Sequence, residues 1–358
     1  MKVNKTNWQI AAAYVGAVIG AGFASGQELI QFFVRFGRLG IWGAALGGGL
    51  FMFLGGITIF LAKQYRLNNY RDLLNIKIGK RLTAITDWVI MLFLFLGTSV
   101  MLSGSGALFQ EYLGIESWIG IIITELLLFF FLIAGDEGFL WFNVLTVPLL
   151  IIVILWVSLV SLATPPASIP SYGSIYNPNT WVSNNWLISA LLYVSYNMVN
   201  AVVILVALAG EKTDSGVGGG VAGGFILFSL VCCVTVALFV FQELIKGYQI
   251  PMLYLAFQVN ERLFNLYGVV LWIAMLTTAM ADTYGLCQRL HATWKIPCFI
   301  IMVMILILAI PFSMCDFATL IGRVYPLFGY LSMILVGILV YQGLKEGVKC
   351  FCKFLFRV

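Results

Sequence analysis

Ten apolar blocks divide this chain, each close to or beyond the roughly 18 residues that cross a bilayer, and nearly all of its charge lies between them. The blocks cover residues 7–34, 39–62, 83–112, 117–134, 139–163, 184–209, 217–242, 263–288, 296–312 and 317–344. In hydrocarbon a backbone must satisfy its own N–H and C=O groups, which leaves helices and closed barrels. Barrel strands alternate apolar and polar residues, and these blocks are continuous. A soluble domain would carry roughly 25% charged residues to cover its surface, whereas this chain carries 10%. The expected fold class is all-α integral membrane, with about ten transmembrane helices. Residues 164–183 hold four of the nine prolines and no charge, and they read as an extended extracellular connector. Residues 246–262 are amphipathic and read as a short surface helix.

A net charge of +5 could point to nucleic acid in a soluble protein, but here its distribution over the loops carries the information. With the N-terminus inside, fifteen Lys and Arg fall on the inner side, six of them from Lys63 to Arg81. Four fall outside (Arg35, Arg38, Lys246 and Arg262), and Arg323, near a helix start, is counted on neither. Short loops rich in Lys and Arg stay in the cytoplasm. The chain is thus expected to be multi-pass in the plasma membrane, with both termini cytoplasmic, the lipid bilayer around it and no nucleic-acid partner. Lys2 and Lys5 resemble the start of a signal peptide, but the apolar run continues to Glu28 without a cleavage site, so it reads as a retained first helix. Seven cysteines show no ligand spacing, which argues against a disulfide or zinc framework. Cys350 and Cys352, beside Lys349 and Lys353, are either acylated or ordinary reduced thiols.

Two blocks are anomalous. The first contains Gly16, Gly20, Gly22 and Gly26 with Ser25, then Gln27 and Glu28 at membrane depth. The sixth clusters Tyr193, Ser195, Tyr196, Asn197 and Asn200 near its middle. Glycine weakens a helix, and midplane polar groups are costly without partners. Both helices are expected to be broken. They stand five blocks apart, and an odd unit places its second copy in the opposite orientation. That predicts an inverted repeat with a central site: residues 1–163 as the first five-helix unit, 164–183 as the connector, and 184–358 as the second unit and tail. The GxxxG spacings at 16–20, 219–223 and 220–224 predict close helix crossings. Residues 20–26 have the wrong spacing and setting for a dinucleotide loop, and no phosphate loop supports ATP-driven pumping.

The run from Gly16 to Glu28, GAVIGAGFASGQE, resembles the first-helix signature of the bacterial YkvI-like membrane transporters. That group is similar to the amino acid–polyamine–cation superfamily, whose fold is the LeuT-type 5+5 inverted repeat. The resemblance implies alternating access, with substrate between helices one and six, and no enzymatic activity. It also implies a sodium ion as the one cofactor-like ligand, held by carbonyls of Gly16 and Ile19 and by Ala274, Thr277 and Thr278 of helix eight. Carbonyls and hydroxyls are suitable ligands for a hard cation; the alternative is that both threonines bond back to their own helix. The superfamily's variant with a lysine in helix five is disfavoured, since residues 139–163 contain none.

For the small-molecule solute, Ile19, Gly20, Ala21, Gly22 and Ser25 offer backbone donors suited to a carboxylate. Tyr193 and Tyr196 could wall an apolar group, with Asn197 and Asn200 as hydrogen-bonding partners. No Lys or Arg lies at the centre of helices one, three, six or eight, which suits a zwitterion better than a dianion. Thr98, Ser99, Ser103 and Ser105 line either the site or a small-residue packing face. Glu28 and Arg323 are expected to form an outer gate, with a static pair, or Glu28 lying in the membrane interface, as the alternatives. Glu125 and Asp282 are further candidates for handling cations or protons, Asp282 being four residues from Thr278 on one helical face. His291 reads as a solvated loop residue. The leading expectation is a sodium-coupled secondary transporter of a small amino acid-like or related organic solute. A ligand-sensing subunit on the same scaffold is the runner-up and a channel the third reading; oligomeric state is left open.

Overall fold

The computed structural model describes residues 5–65, 67, 79–134, 136–166, 180–211 and 217–355. Most of the basic loop at 66–78, the connector's centre at 167–179, Lys212 and the side chains of Cys350 and Cys352 lie outside the described residues. Every regular element among the described residues is helical, with no strand. The helices are α1 (Lys5–Val18), α2 (Ala21–Ser25), α3 (Gln27–Phe32), α4 (Arg38–Gln64), α5 (Gly79–Leu113), α6 (Ser117–Ala134), α7 (Asp136–Ala163), α8 (Trp186–Glu211), α9 (Val217–Val240), α10 (Pro251–Val259), α11 (Glu261–Trp294), α12 (Cys298–Ser313) and α13 (Phe317–Leu355). Each expected block is helical: α1–α3 form the first, and α4 to α9 and α11 to α13 the others. Among the described residues, seven helices are long and apolar enough to cross a membrane, and α6 and α12 are shorter apolar helices. The short helix α10 lies within the amphipathic stretch.

The first block is broken twice. At Gly20 the backbone is extended, with φ −111° and ψ −173°. At Gly26 it turns left-handed, with φ 81°, a conformation that costs other residues roughly 1–2 kcal/mol. Ser25 staples this second break: its Oγ donates to the Gly22 carbonyl at 2.7 Å and accepts from the Gln27 N–H at 3.1 Å.

The sixth block corrects the expectation of a second break, because α8 is one continuous helix of 26 residues. From Trp186 to Ala209 it has neither glycine nor proline, so nothing forces the backbone out of register. Two of its mid-helix polar groups bond back into the helix. Ser195 Oγ donates to the Leu191 carbonyl at 2.6 Å and Asn197 Nδ2 to the Tyr193 carbonyl at 3.0 Å.

Packing shows the repeat directly. The second block packs on the seventh, the third on the eighth and the first on the sixth. Mixed contacts come in pairs related by a shift of five: first on seventh with sixth on second, and fifth on eighth with tenth on third. Small residues permit the closest of these approaches. A Cβ on Gly220 would collide with the Gly55 backbone, and one on Gly219 would lie 2.7 Å from the Asn7 carbonyl. The largest departure from the symmetry is at one seam. The tenth block, α13, packs along α8, whereas its counterparts α7 and α1 share no comparable contact among the described residues.

Candidate solute cavity

The gap beside α1 belongs to a cavity of about 460 Å³ built around the first break. Residues Gly16 to Gly22 and Glu28 form one wall; Tyr196, Asn197 and Asn200 of α8 face it, joined by Thr278 and Asp282 of α11. Gly16 and Gly20 therefore line the cavity instead of marking a close crossing: beyond the chain's own turn, a Cβ on Gly20 would meet nothing within 4 Å. Phe93 and Gly97 of α5, Val147 of α7 and Tyr325 of α13 complete the interior, and Arg289 stands at its rim. Arg289 is ion-paired with Asp87 at 3.7 Å. Asn200 and Ala281 are exposed although they belong to cavity walls within the bundle, so the cavity reaches solvent towards the end carrying Asp87 and Arg289.

The opposite end is stitched shut. Ser189 Oγ of α8 donates to the Phe32 carbonyl of α3 at 2.6 Å, and Tyr267 of α11 donates to the Ala24 carbonyl. The residues before α8 tie to α13, with Trp181 N–H and Thr180 Oγ1 both donating to the Gly322 carbonyl, at 2.8 and 2.9 Å. The turn before α10 is held on Glu111 of α5, whose carboxylate accepts from the backbone N–H groups of Gln249 and Ile250. Gln249 Oε1 in turn accepts from the Phe317 N–H at 2.7 Å.

At the centre, the Tyr196 hydroxyl donates to Glu28 Oε2. Glu28 is 5% exposed, and its other oxygen accepts no hydrogen bond from the described residues. The Glu28 carboxylate lies where a side chain on Gly22 would have to stand; only glycine leaves that space. Tyr325, 6% exposed, stacks obliquely on Tyr196 with ring centroids 4.9 Å apart. Asp282 lies against Gly97, which likewise has no room for a Cβ.

Several sequence expectations are redistributed. Glu28 and Arg323 do not pair: Glu28 is buried on Tyr196, while Arg323 is exposed on α13. The left-handed turn at Gly26 restarts the helix so that Glu28 faces the break. Ser25 is outside the cavity lining and serves the break itself. Tyr193 is fully buried against Phe32, Phe33 and Phe51, with centroids 5.6, 4.8 and 5.9 Å away. Of the proposed cation ligands, Gly16, Ile19 and Thr278 share the cavity and Ala274 and Thr277 do not. Both threonine hydroxyls donate to the Ala274 carbonyl, at 3.1 and 2.8 Å. On α5, Ser103 bonds the Cys315 carbonyl and Thr98 meets Thr283, so these groups join helices outside the cavity lining. Glu125 lies outside the cavity lining, and the exposed His291 ring contacts the Ile296 carbonyl at 2.6 Å. Phe93 and Tyr325 escaped sequence reasoning because an aromatic residue in an apolar block looks like core. Pro326 inside α13 is the local irregularity that could have drawn attention to Tyr325.

Comparison with known proteins gives a consistent frame. The chain is 33% identical over 338 residues to the uncharacterized membrane protein YkvI of Bacillus subtilis, covering 93% of this chain and 94% of that protein. It is 28% identical over 340 residues to the uncharacterized protein YyaD of the same organism, covering 93% and 96%. No protein-family model matches. Among solved structures, the inward-facing conformation of Mhp1 superposes with a TM-score of 0.61 at 15% identity, over 85% of this chain and 69% of that one. MhsT in complex with L-phenylalanine gives 0.57 at 14%, over 87% and 80%. A Na+-coupled sialic acid symporter in a substrate-bound outward-open state gives 0.56 at 13%, over 86% and 71%. These likenesses establish the LeuT-type fold.

Proposed function

This chain belongs to the YkvI family of membrane proteins, and from that premise we propose that it is a secondary transporter of a small amino acid-like or related organic solute. One observation carries the reading: the cavity at the first-helix break is sealed at one end of the bundle and reaches solvent at the other. Alternating access requires such a one-sided central site. The fifteen-to-four distribution of basic residues supports cytoplasmic termini, which makes this an inward-facing state. The symmetry defect agrees with it, since the first–fifth seam is slack where the sixth–tenth seam is packed.

Sodium is the proposed coupling ion. Thr278 gives its proton to the Ala274 carbonyl, so its oxygen keeps lone pairs for a cation in the cavity shared with Gly16 and Ile19. Neutral oxygens of this kind suit a hard monovalent ion. The test begins with the melting temperature of purified protein in sodium against potassium at equal ionic strength. Sodium raises it, and Thr278→Val removes the gain. Uptake into proteoliposomes then decides transport: if no amino acid, amine or organic acid moves in a broad screen, with or without a sodium gradient, the reading fails.

A further inference from the structure

The middle of the cavity has an unusual balance of hydrogen-bonding groups. Glu28 and Asp282 both line it, and the nearest cation in its lining, Arg289, stands at the rim in its pair with Asp87. Asp282 makes no hydrogen bond or ion pair with the described residues, and one oxygen of Glu28 is likewise open. Thr278 Oγ1 has already given its proton to a helix carbonyl, so towards the cavity it offers an acceptor oxygen. The charged groups of the interior are thus carboxylates, with no Lys or Arg among the lining residues other than Arg289. A carboxylate withdrawn from water without partners is costly; here half-buried Asp282 has none among the described residues and buried Glu28 has only Tyr196.

Independent of the carboxylates, the Tyr325 side chain points to a ligand. Its ring is nine-tenths buried, its hydroxyl makes no hydrogen bond to the described residues, and it lines the same cavity. The hydroxyl lies 3.1 Å from where a Cβ would stand on Gly22, a position that the Glu28 carboxylate occupies. The Tyr325 ring sits between those of Tyr196 and Phe93, with centroids at 4.9 and 6.5 Å. Stacked aromatic faces attract organic cations.

We propose that the solute is recognised through a positively charged nitrogen, an organic ammonium held between Glu28 and Asp282 against the Tyr196–Tyr325 wall. An ammonium has a positive charge, three donors and no acceptor, the complement of the open carboxylate oxygens of Glu28 and Asp282. The nitrogen can be that of a simple amine or the amino group of an amino acid. This rests on the transporter reading for its physiological meaning, but binding and flux are measured separately.

Purified full-length protein is held in fixed sodium chloride and titrated with methyl-, butyl- and 2-phenylethylammonium chlorides, each against its matched alcohol and matched carboxylate sodium salt. At least one ammonium raises the melting temperature while its alcohol and carboxylate do not. Asp282→Asn weakens the ammonium response about tenfold or more, the scale for losing a charge-assisted partner, and spares the response to sodium; Thr278→Val does the reverse. Because Asp282 makes no hydrogen bond with the described protein, its amide variant should fold even where Glu28→Gln does not. Glu125→Gln, outside the cavity lining, keeps both responses. The inference is overturned if no ammonium exceeds its matched alcohol, if a carboxylate binds better than the amine, or if the two variants lose both responses together. Amine binding without flux supports the site and removes transport. Flux of solutes lacking nitrogen, with no amine response, keeps transport and removes the site.

Discussion

The first and sixth blocks occupy equivalent places in the repeat, yet one is broken and the other is a single helix. Both carry polar residues at membrane depth, so polarity alone does not open a helix. The first has glycines at the positions where the chain leaves helical geometry, Gly20 and Gly26. The sixth has none over the corresponding stretch, and its Ser195 and Asn197 donate to its own carbonyls. The consequence is a division of labour. The broken helix supplies open backbone and a carboxylate, while the intact helix supplies a rigid wall that positions the Tyr196 hydroxyl on that carboxylate.

The strongest way to break this comparison is to remove the left-handed turn. Leucine at Gly26 must adopt φ near 81° with its Cβ 2.8 Å from Met252 and 3.2 Å from Leu238. Backbone strain of about 1–2 kcal/mol adds to overpacking of about 1–3 kcal/mol. Gly26→Leu should give the largest drop in melting temperature of any single change in either block. The mirror experiment, Ser195→Gly in α8, costs about 1 kcal/mol or less. Equal losses from the two would show that the break is not imposed by Gly26.

Next in size is Gly22→Ala. Its methyl must displace the Glu28 carboxylate and so sever the bond from Tyr196, a charge-assisted contact of about 1.5–3 kcal/mol. Uptake into proteoliposomes should fall roughly 10- to 100-fold with a smaller change in melting temperature than Gly26→Leu. Unchanged uptake would place Glu28 outside the solute site.

What could be read from the sequence follows the range of each interaction. Membrane spans are a property of a local run of residues, so all ten blocks were legible. The break at Gly20–Gly26 was legible for the same reason, since glycine acts on its own backbone. The intact sixth helix was misread because the acceptors of Ser195 and Asn197 lie within that helix, and a side chain's choice between its own turn and a neighbour is not written in composition. The partner of Glu28 was misassigned to Arg323 because charge suggests a pair, whereas the rotation of α3 after Gly26 decides which neighbour it meets. Tyr325 and Phe93 join the site only through the packing of α13 and α5 on the break, contacts separated by hundreds of residues and about seventy respectively along the chain.

The smallest expected effect is the sharpest test of where the break resides. Gly20 shares the break with Gly26 but has extended backbone that alanine adopts without strain, and beyond the local turn its missing Cβ faces empty cavity. Gly20→Ala replaces a modest N-cap residue by a poorer one, a cost of a few tenths of a kcal/mol to about 1 kcal/mol. The added methyl takes little from a cavity of about 460 Å³. Melting temperature should therefore change least of all the glycine variants, and uptake should stay within about threefold of the parent chain, corresponding to less than about 1 kcal/mol. A loss on the scale of Gly22→Ala would mean that the solute packs directly on the Gly20 backbone, and the Glu28–Tyr196 centre would then be one edge of the site instead of its middle.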